Sequence, residues 1–208
     1  MSGIEYFEYM LKLKINNELL ECGVDEAGRG CLAGPVTAAA CILPNDFISP
    51  SINDSKQLTP KQRETIREVI ESSAIAWAIA HVWEKEIDRM NILNASIEAM
   101  HRAINLLAIK PQFIAVDGNR FKPLGEIPHK CIIKGDAKFQ HISAASILAK
   151  TERDRYMSEI HQKHPEYQWH KNKGYPTSYH RKAIMSHGIT IHHRKSFRLL
   201  PNQLILPI

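Results

Sequence analysis

The chain has 208 residues, 44% of them hydrophobic and 24% charged, with a formal net charge of +5. That is enough to bury a sizeable core, and the four cysteines have no C-x-x-C spacing, so neither a zinc site nor a disulfide frame is signalled. Glu5, Glu8, Lys12, Lys14 and Glu18 interrupt the apolar residues of the first twenty positions, which speaks against a signal peptide, and no apolar run approaches membrane-spanning length. A monomer of the reducing cytoplasm is expected.

Residues 1–20 carry no functional signal. Cys22–Asp25 and Pro35–Leu43 predict two strands separated by a glycine-rich turn, with Asp25 and Glu26 running into Gly28-Arg29-Gly30. A strand that only held a core would not end in two acids, because burying an unpaired carboxylate costs on the order of several kcal/mol. A bound divalent cation or a basic partner must compensate them, while the glycines let backbone N–H groups approach a ligand. Successive side chains of a regular strand point to opposite faces. Both acids can then face one ion only if the strand ends or bulges before Gly28, which is the expectation here.

Thr59, Pro60 and Gln62 predict a capped helix start, with the helix running to about Ser72. Lys56, just before it, reads equally as a loop residue or a phosphate contact. Ile75–Val82 predicts a third strand, Glu84–Met90 a helical turn, and Ile92–Ile109 a helix stopped by Lys110-Pro111. Phe113–Val116 is an apolar strand delivering Asp117 and Gly118, and Cys131-Ile-Ile-Lys134-Gly135-Asp136 repeats the device. Three strand ends thus terminate in carboxylates beside glycine. If they share one rim of a sheet, their mutual repulsion is tolerable only with cations between them.

Ile142 to about His161 is helical, with Ser143, Ser146 and Lys150 on one face. The serines suit close packing against the sheet; Lys150 balances the carboxylates or meets a phosphate. From His161 to Arg198 eight Lys or Arg residues face one acid, Glu166, so this segment is +7 and the remainder −2. Such segregation fits a phosphate-backbone partner and, on charge alone, equally a solvated basic face, while the aromatics interleaved with lysine around Trp169–Tyr175 suit stacking on sugars or bases. The seven histidines of that stretch lack H-E-x-x-H or Cys-paired spacing and do not read as a metal site.

Taken together, these motifs resemble bacterial ribonuclease HII. The matching stretches are Asp25–Gly30, Asp54-Ser-Lys56, Asp117–Arg120, Lys134–Asp136, Ser143–Lys150, Lys173–Thr177 and His193–Phe197, spanning Glu21 to Arg198. The resemblance implies an α/β, ribonuclease H-like fold: a mixed five-stranded sheet flanked by helices. It further implies a single domain over 1–208 with a basic helical C-terminal part at about 165–198. It implies four catalytic carboxylates, Asp25, Glu26, Asp117 and Asp136, holding two divalent cations, Mn²⁺ or Mg²⁺. Gly28, Arg29 and Gly30 would recognise the ribose 2′-hydroxyl, Tyr175 would pack on the next sugar, and Lys56, Lys150 and Lys173 complete the candidate substrate contacts. The implied activity is hydrolysis of the RNA strand of RNA/DNA hybrids and nicking 5′ to single ribonucleotides in duplex DNA, leaving 3′-hydroxyl and 5′-phosphate ends. Lys138–His141 departs from the family's usual apolar-proline pattern, and the apolar tail is not part of it. Within that tail, Gln203–Leu206 is similar to the start of a peptide that docks on the replication sliding clamp. Two rivals stand beside this reading: an enzyme like ribonuclease HIII acting only on longer hybrids, and a non-catalytic nucleic-acid-binding module with a structural cation. The first normally carries an extra N-terminal domain, for which the residues before Glu21 do not suffice.

Overall fold

A computed structural model describes residues 11–47, 49, 52 and 58–200. Five strands, β1 (Glu21–Ala27), β2 (Val36–Ile42), β3 (Ala76–Val82), β4 (Phe113–Asp117) and β5 (His129–Ile132), form one sheet in the order β3-β2-β1-β4-β5. Neighbours are antiparallel from β3 to β1 and parallel from β1 to β5, so this is the mixed five-stranded sheet that the motifs imply. β1 lies at its centre, and its acids fall where the chain leaves the sheet.

Among the described residues the α-helices are α1 (Pro60–Ser73), α2 (Glu84–Asn105), α3 (Gln140–Lys163), the short α4 (Trp169–Asn172) and α5 (Ser178–His187). At the start of α1 the Gln62 N–H donates to Thr59 Oγ1 at 3.3 Å and the Thr59 N–H donates to Gln62 Oε1 at 2.8 Å, the reciprocal cap that the sequence predicts. The two helical pieces predicted over 84–109 join across a kink at Asn91, where φ is 65°, and end at Asn105.

Strand alternation divides the core between the two faces. Val24, Ala38 and Ala40 pack with Ala95, Ala99 and Met100 of α2, whereas Ala39 and Cys41 pack with Ile66 and Ile70 of α1 and Ile147 and Leu148 of α3. A Cβ on Gly23 would land on the backbone of His141, so glycine is what lets α3 lie against β1. A third cluster, built on Tyr167, Trp169, Ile184 and Leu199, joins the C-terminal helices to Met157 and Ile160 of α3 and to Leu32 and Ala33.

Two expectations need correcting here. β5 stops at Ile132, so Asp136 does not end a strand; Lys134 turns the chain at φ 55° and Asp136 follows inside a 3₁₀ turn, Gly135–Ala137. The unusual Lys138–His141 stretch starts α3 two residues earlier than expected, secured from outside itself. Gln140 N–H donates to the Lys12 carbonyl at 2.7 Å, Gln140 Nε2 to that of Leu11 at 3.0 Å, and His141 Nδ1 to that of Glu21 at 3.0 Å. Burial pushes the His141 pKa down to about 4, so the neutral ring serves as that donor. Residues 11–21, silent in the sequence, therefore anchor the helix that carries Ser146 and Lys150.

Among the described residues no helix is long and apolar enough to cross a membrane. Lys56 and the Gln203–Leu206 peptide lie outside the described residues.

Candidate active site

Asp25 projects from β1 toward α3, where Ser146 hydrogen-bonds its carboxylate, and the Glu26 N–H donates to Asp25 Oδ1 at 2.7 Å. The expected break in the strand does not occur. Pairing of β1 with β2 stays in register through Ala27, opposite Thr37, so Glu26 starts from the opposite, α2-facing side, near Leu93, Ser96 and Met100. Both acids nevertheless line one cavity of about 390 Å³. The reason lies on the other edge: pairing of β1 with β4 ends at Val24 opposite Val116, leaving no neighbouring strand beyond it to separate Glu26 from Asp25 and Asp117. Glutamate's extra methylene then spans the pleat, and a bulge is unnecessary.

Asp117 closes the set at the end of β4 and accepts a hydrogen bond from the Gly135 N–H at 2.6 Å. That bond holds the following residue, Asp136, beside the site. Asp136 itself is 1% exposed and does not line the cavity, so three of the four predicted carboxylates meet there and the fourth sits one residue behind the turn that Asp117 grips.

Burial, followed by the negative charges of Glu26 and Asp117, raises the Asp25 pKa well above the usual carboxylate range. Burial likewise lifts Glu26 to about 7, against the pull of Arg29, whose guanidinium is 3.0 Å from Glu26 Oε1. Glu26 Oε2 is buried without a hydrogen-bond partner among the described residues. A hard divalent cation such as Mg²⁺ or Mn²⁺ suits this all-oxygen donor set. As arranged, no three His, Cys, Asp or Glu side chains among the described residues close round one point, so an ion would have to draw them inward.

The glycines of the turn divide into two kinds. Gly28 (φ 91°) and Gly34 (φ 83°) are crowded from below by Arg153 and Met157, whereas a Cβ on Gly30 would meet nothing within 4 Å. Gly30 thus leaves open space beside the carboxylates. Tyr175, 41% exposed, lines the same cavity, and Gly174 (φ 82°) turns the chain just before it.

The predicted lysines separate. Lys150 lines the cavity but donates to Asp154 Oδ1 at 2.6 Å, so its charge balances a carboxylate of its own helix rather than those of the sheet. Lys173 does not reach the cavity. Its ammonium donates to Ser158 Oγ at 3.0 Å and lines an adjoining groove of about 550 Å³ with Arg155 and Lys171, where burial lowers its pKa.

Two cavity residues escaped the sequence reading. Ser146 reads there as a packing residue, and its place on the Lys150 face was the signal that it shares the site. Arg63, which lines the cavity 3.7 Å from Asp154, gave no signal, because an arginine on an amphipathic helix reads as surface. Outside the site, the buried histidines of the C-terminal part bond to protein groups, His180 to Trp169, Tyr175 and His193.

The family model described as Ribonuclease HII matches residues 22–200. A curated ribonuclease HII from Christiangramia forsetii is 60% identical over 189 residues, covering 91% of this chain and 96% of that protein. Among solved structures, ribonuclease H2 from Pyrococcus horikoshii OT3 superposes with a TM-score of 0.74 at 31% identity, covering 86% of this chain and 94% of the other. The ribonuclease HII of a PCNA complex from Archaeoglobus fulgidus gives 0.70 at 26%, covering 84% and 91%. With its sequence matching the family model and its curated relatives over most of the chain, and its fold matching a solved ribonuclease H2, the chain belongs to the ribonuclease HII family and is a ribonuclease H hydrolase.

Proposed function

We propose that the enzyme cuts on the 5′ side of a ribonucleotide, both within the RNA strand of RNA/DNA hybrids and at a single ribonucleotide embedded in duplex DNA, leaving 3′-hydroxyl and 5′-phosphate ends. Hydrolysis of the RNA strand in hybrids follows from the family; action at one ribonucleotide is the finer reading. The observation that carries it is the meeting of Asp25, Glu26 and Asp117 with Gly28–Gly30 and Tyr175 around one cavity. Groups suited to a cation and groups suited to a sugar line the same space.

Asp25, Glu26, Asp117 and, behind them, Asp136 would hold two divalent cations, Mn²⁺ or Mg²⁺. The chemistry such ions supply when bound is activation of water and stabilisation of the departing 3′-oxygen. Ser146 and the Glu26 N–H orient Asp25 for this role. The 2′-hydroxyl is what distinguishes RNA from DNA, and the open side of Gly30 admits it to backbone groups without reading a base. Tyr175 packs on the sugar 3′ to the cut. Lys150 and, along the adjoining groove, Lys173 with Arg155 and Lys171 meet phosphates of the duplex.

The deciding experiment is divalent-ion-dependent nicking of a DNA duplex carrying one ribonucleotide. Asp25→Asn should abolish cleavage with duplex binding retained. Aromatic stacking on a base contributes about 1–3 kcal/mol; with packing on a sugar of the same order, Tyr175→Ala should slow that nicking by roughly one to two orders of magnitude. Cleavage confined to longer hybrids would favour the specificity of ribonuclease HIII, and binding without any cleavage would leave only a nucleic-acid-binding module.

A further inference from the structure

Two arginines are almost completely buried, Arg153 at 1% exposure and Arg194 at 0%, and neither forms an ion pair with a carboxylate among the described residues. A buried cation without a counter-ion is costly unless its five N–H donors are satisfied by fixed dipoles. Here the dipoles are carbonyls, and they belong to the two turns that border the cavity. Arg153 donates to Pro35, Ala33 and Lys173 at 2.9, 2.9 and 2.8 Å. Arg194 donates to Gly34 at 2.9 Å and to Arg29 at 3.0 Å through Nε and Nη1, while its Nη2 is buried without a hydrogen-bond partner among the described residues. Burial and the neighbouring Arg153 lower the Arg194 pKa only to about 10, so it stays cationic at neutral pH.

The same turns are stitched together by their backbones. Leu32 N–H donates to the Gly174 carbonyl at 2.7 Å, Gly34 N–H to that of His192 at 2.9 Å, and Arg194 N–H to that of Leu32 at 2.9 Å. Gly28 and Gly34 both face Arg153, which accounts for glycine there independently of any ligand.

We propose that Arg153 and Arg194 are positioning residues that clamp the Gly28–Gly34 turn, the Lys173–Tyr175 turn and the 192–194 segment into one rigid nucleotide-reading unit, so that selectivity for an isolated ribonucleotide depends on two side chains that never touch it. This rests on the reading of Gly28–Gly30 and Tyr175 as the sugar contacts. A lysine is cationic but lacks the planar fork and has three donors instead of five, so Arg→Lys loosens the clamp without removing the charge.

The test measures Arg153→Lys and Arg194→Lys against the wild type on a duplex with one ribonucleotide and on a hybrid with four consecutive ones. A run of riboses offers several registers to a loosened turn, whereas a single ribose offers one. Misplacement by about 1 Å costs on the order of a hundredfold. Nicking at the single ribonucleotide should therefore fall about a hundredfold, and the ratio of the two rates should shift at least about tenfold, with the unfolding midpoint nearly kept. An unchanged ratio, whether both rates persist or both fall in proportion to lost stability, would overturn the proposal. Should the lysine variants not fold, amide exchange of the wild type decides: Leu32, Gly34 and Arg194 must open together as one unit, and independent, rapid exchange of Leu32 and Gly34 would overturn it. A wild type that cuts neither substrate would sink the nuclease reading, and the exchange result would then still judge the clamp.

Discussion

Gly28 and Gly30 are two residues apart in one motif, yet the space around them differs. Gly28 has φ 91° and the guanidinium of Arg153 against the position its Cβ would take; Gly30 has open space. Gly28→Ala should thus cost on the order of 1–3 kcal/mol through backbone strain, with the clash in addition, read as a lower denaturant midpoint. Gly30→Ala should leave that midpoint in place and slow cleavage by crowding the approach to the sugar. Equal stability losses in the two variants would contradict this division. Ser146 is the other residue whose part emerges only in space. Its hydroxyl hydrogen-bonds Asp25, and hydrogen bonds to charged groups are worth about 1.5–3 kcal/mol. Ser146→Ala should lower both the unfolding midpoint and, through the misplaced Asp25, the cleavage rate, the latter by roughly one to two orders of magnitude at temperatures where the variant is fully folded. A rate within twofold of wild type would return Ser146 to the packing role that its sequence position suggests.

At the scale of elements, the C-terminal helices and the loop after α5 are joined by a chain of hydrogen bonds that leaves its histidines neutral. Thr190 N–H donates to His193 Nδ1 at 2.9 Å, and Trp169 Nε1–H donates to His180 Nε2 at 3.0 Å. His193 Nε2, 3.3 Å from His180 Nε2, must then carry a proton, and His180 Nδ1–H donates to the Tyr175 carbonyl at 2.9 Å. Burial, reinforced by neighbouring histidines, pulls the His193 pKa down to about 3. A base whose folded pKa is depressed contributes stability that is complete above its unfolded value of about 6.5 and is lost as pH falls below that value toward the folded one. Stability should thus decline between about pH 6.5 and pH 3, and His193→Gln, less stable at neutral pH, should decline less steeply. Parallel slopes in denaturant titrations of the two proteins would show that His193 does not drive the loss. Because the chain ends on the Tyr175 carbonyl, acid should also loosen the turn that presents this ring.

For the whole molecule, the cluster of Asp25, Glu26 and Asp117 places carboxylates together at the centre of the sheet, where burial first and mutual repulsion second disfavour their charged forms, a cost that a bound cation would offset. A ligand at about one hundred times its dissociation constant stabilises the native state by about 2.7 kcal/mol. Saturating Mn²⁺ should therefore raise the unfolding temperature of the wild type by several degrees, and Asp25→Asn should blunt the rise. A wild-type midpoint indifferent to Mn²⁺ at neutral pH would argue that the carboxylates do not form a cation site.

The sequence by itself determined the strand and helix order, the capped start of α1, the recurrence of acid beside glycine and the family to which these belong. Such features are encoded over a few residues, in hydrophobic period, cap chemistry and turn composition, and they read alike folded or not. Tertiary structure decided the rest. It sent Glu26 to the opposite face from Asp25 without a bulge, because the edge of β1 toward β4 is open there. It moved Lys173 off the carboxylate cavity and paired Lys150 with Asp154. It also turned Arg194, an apparent member of the basic C-terminal segment, and Arg153, which carried no signal of its own, into buried struts. Their partners explain why no local pattern could reveal this: Arg153 meets a carbonyl 120 positions away and Arg194 one 165 positions away. In a sequence, an arginine in solvent and a buried arginine holding two or three carbonyls are the same letter.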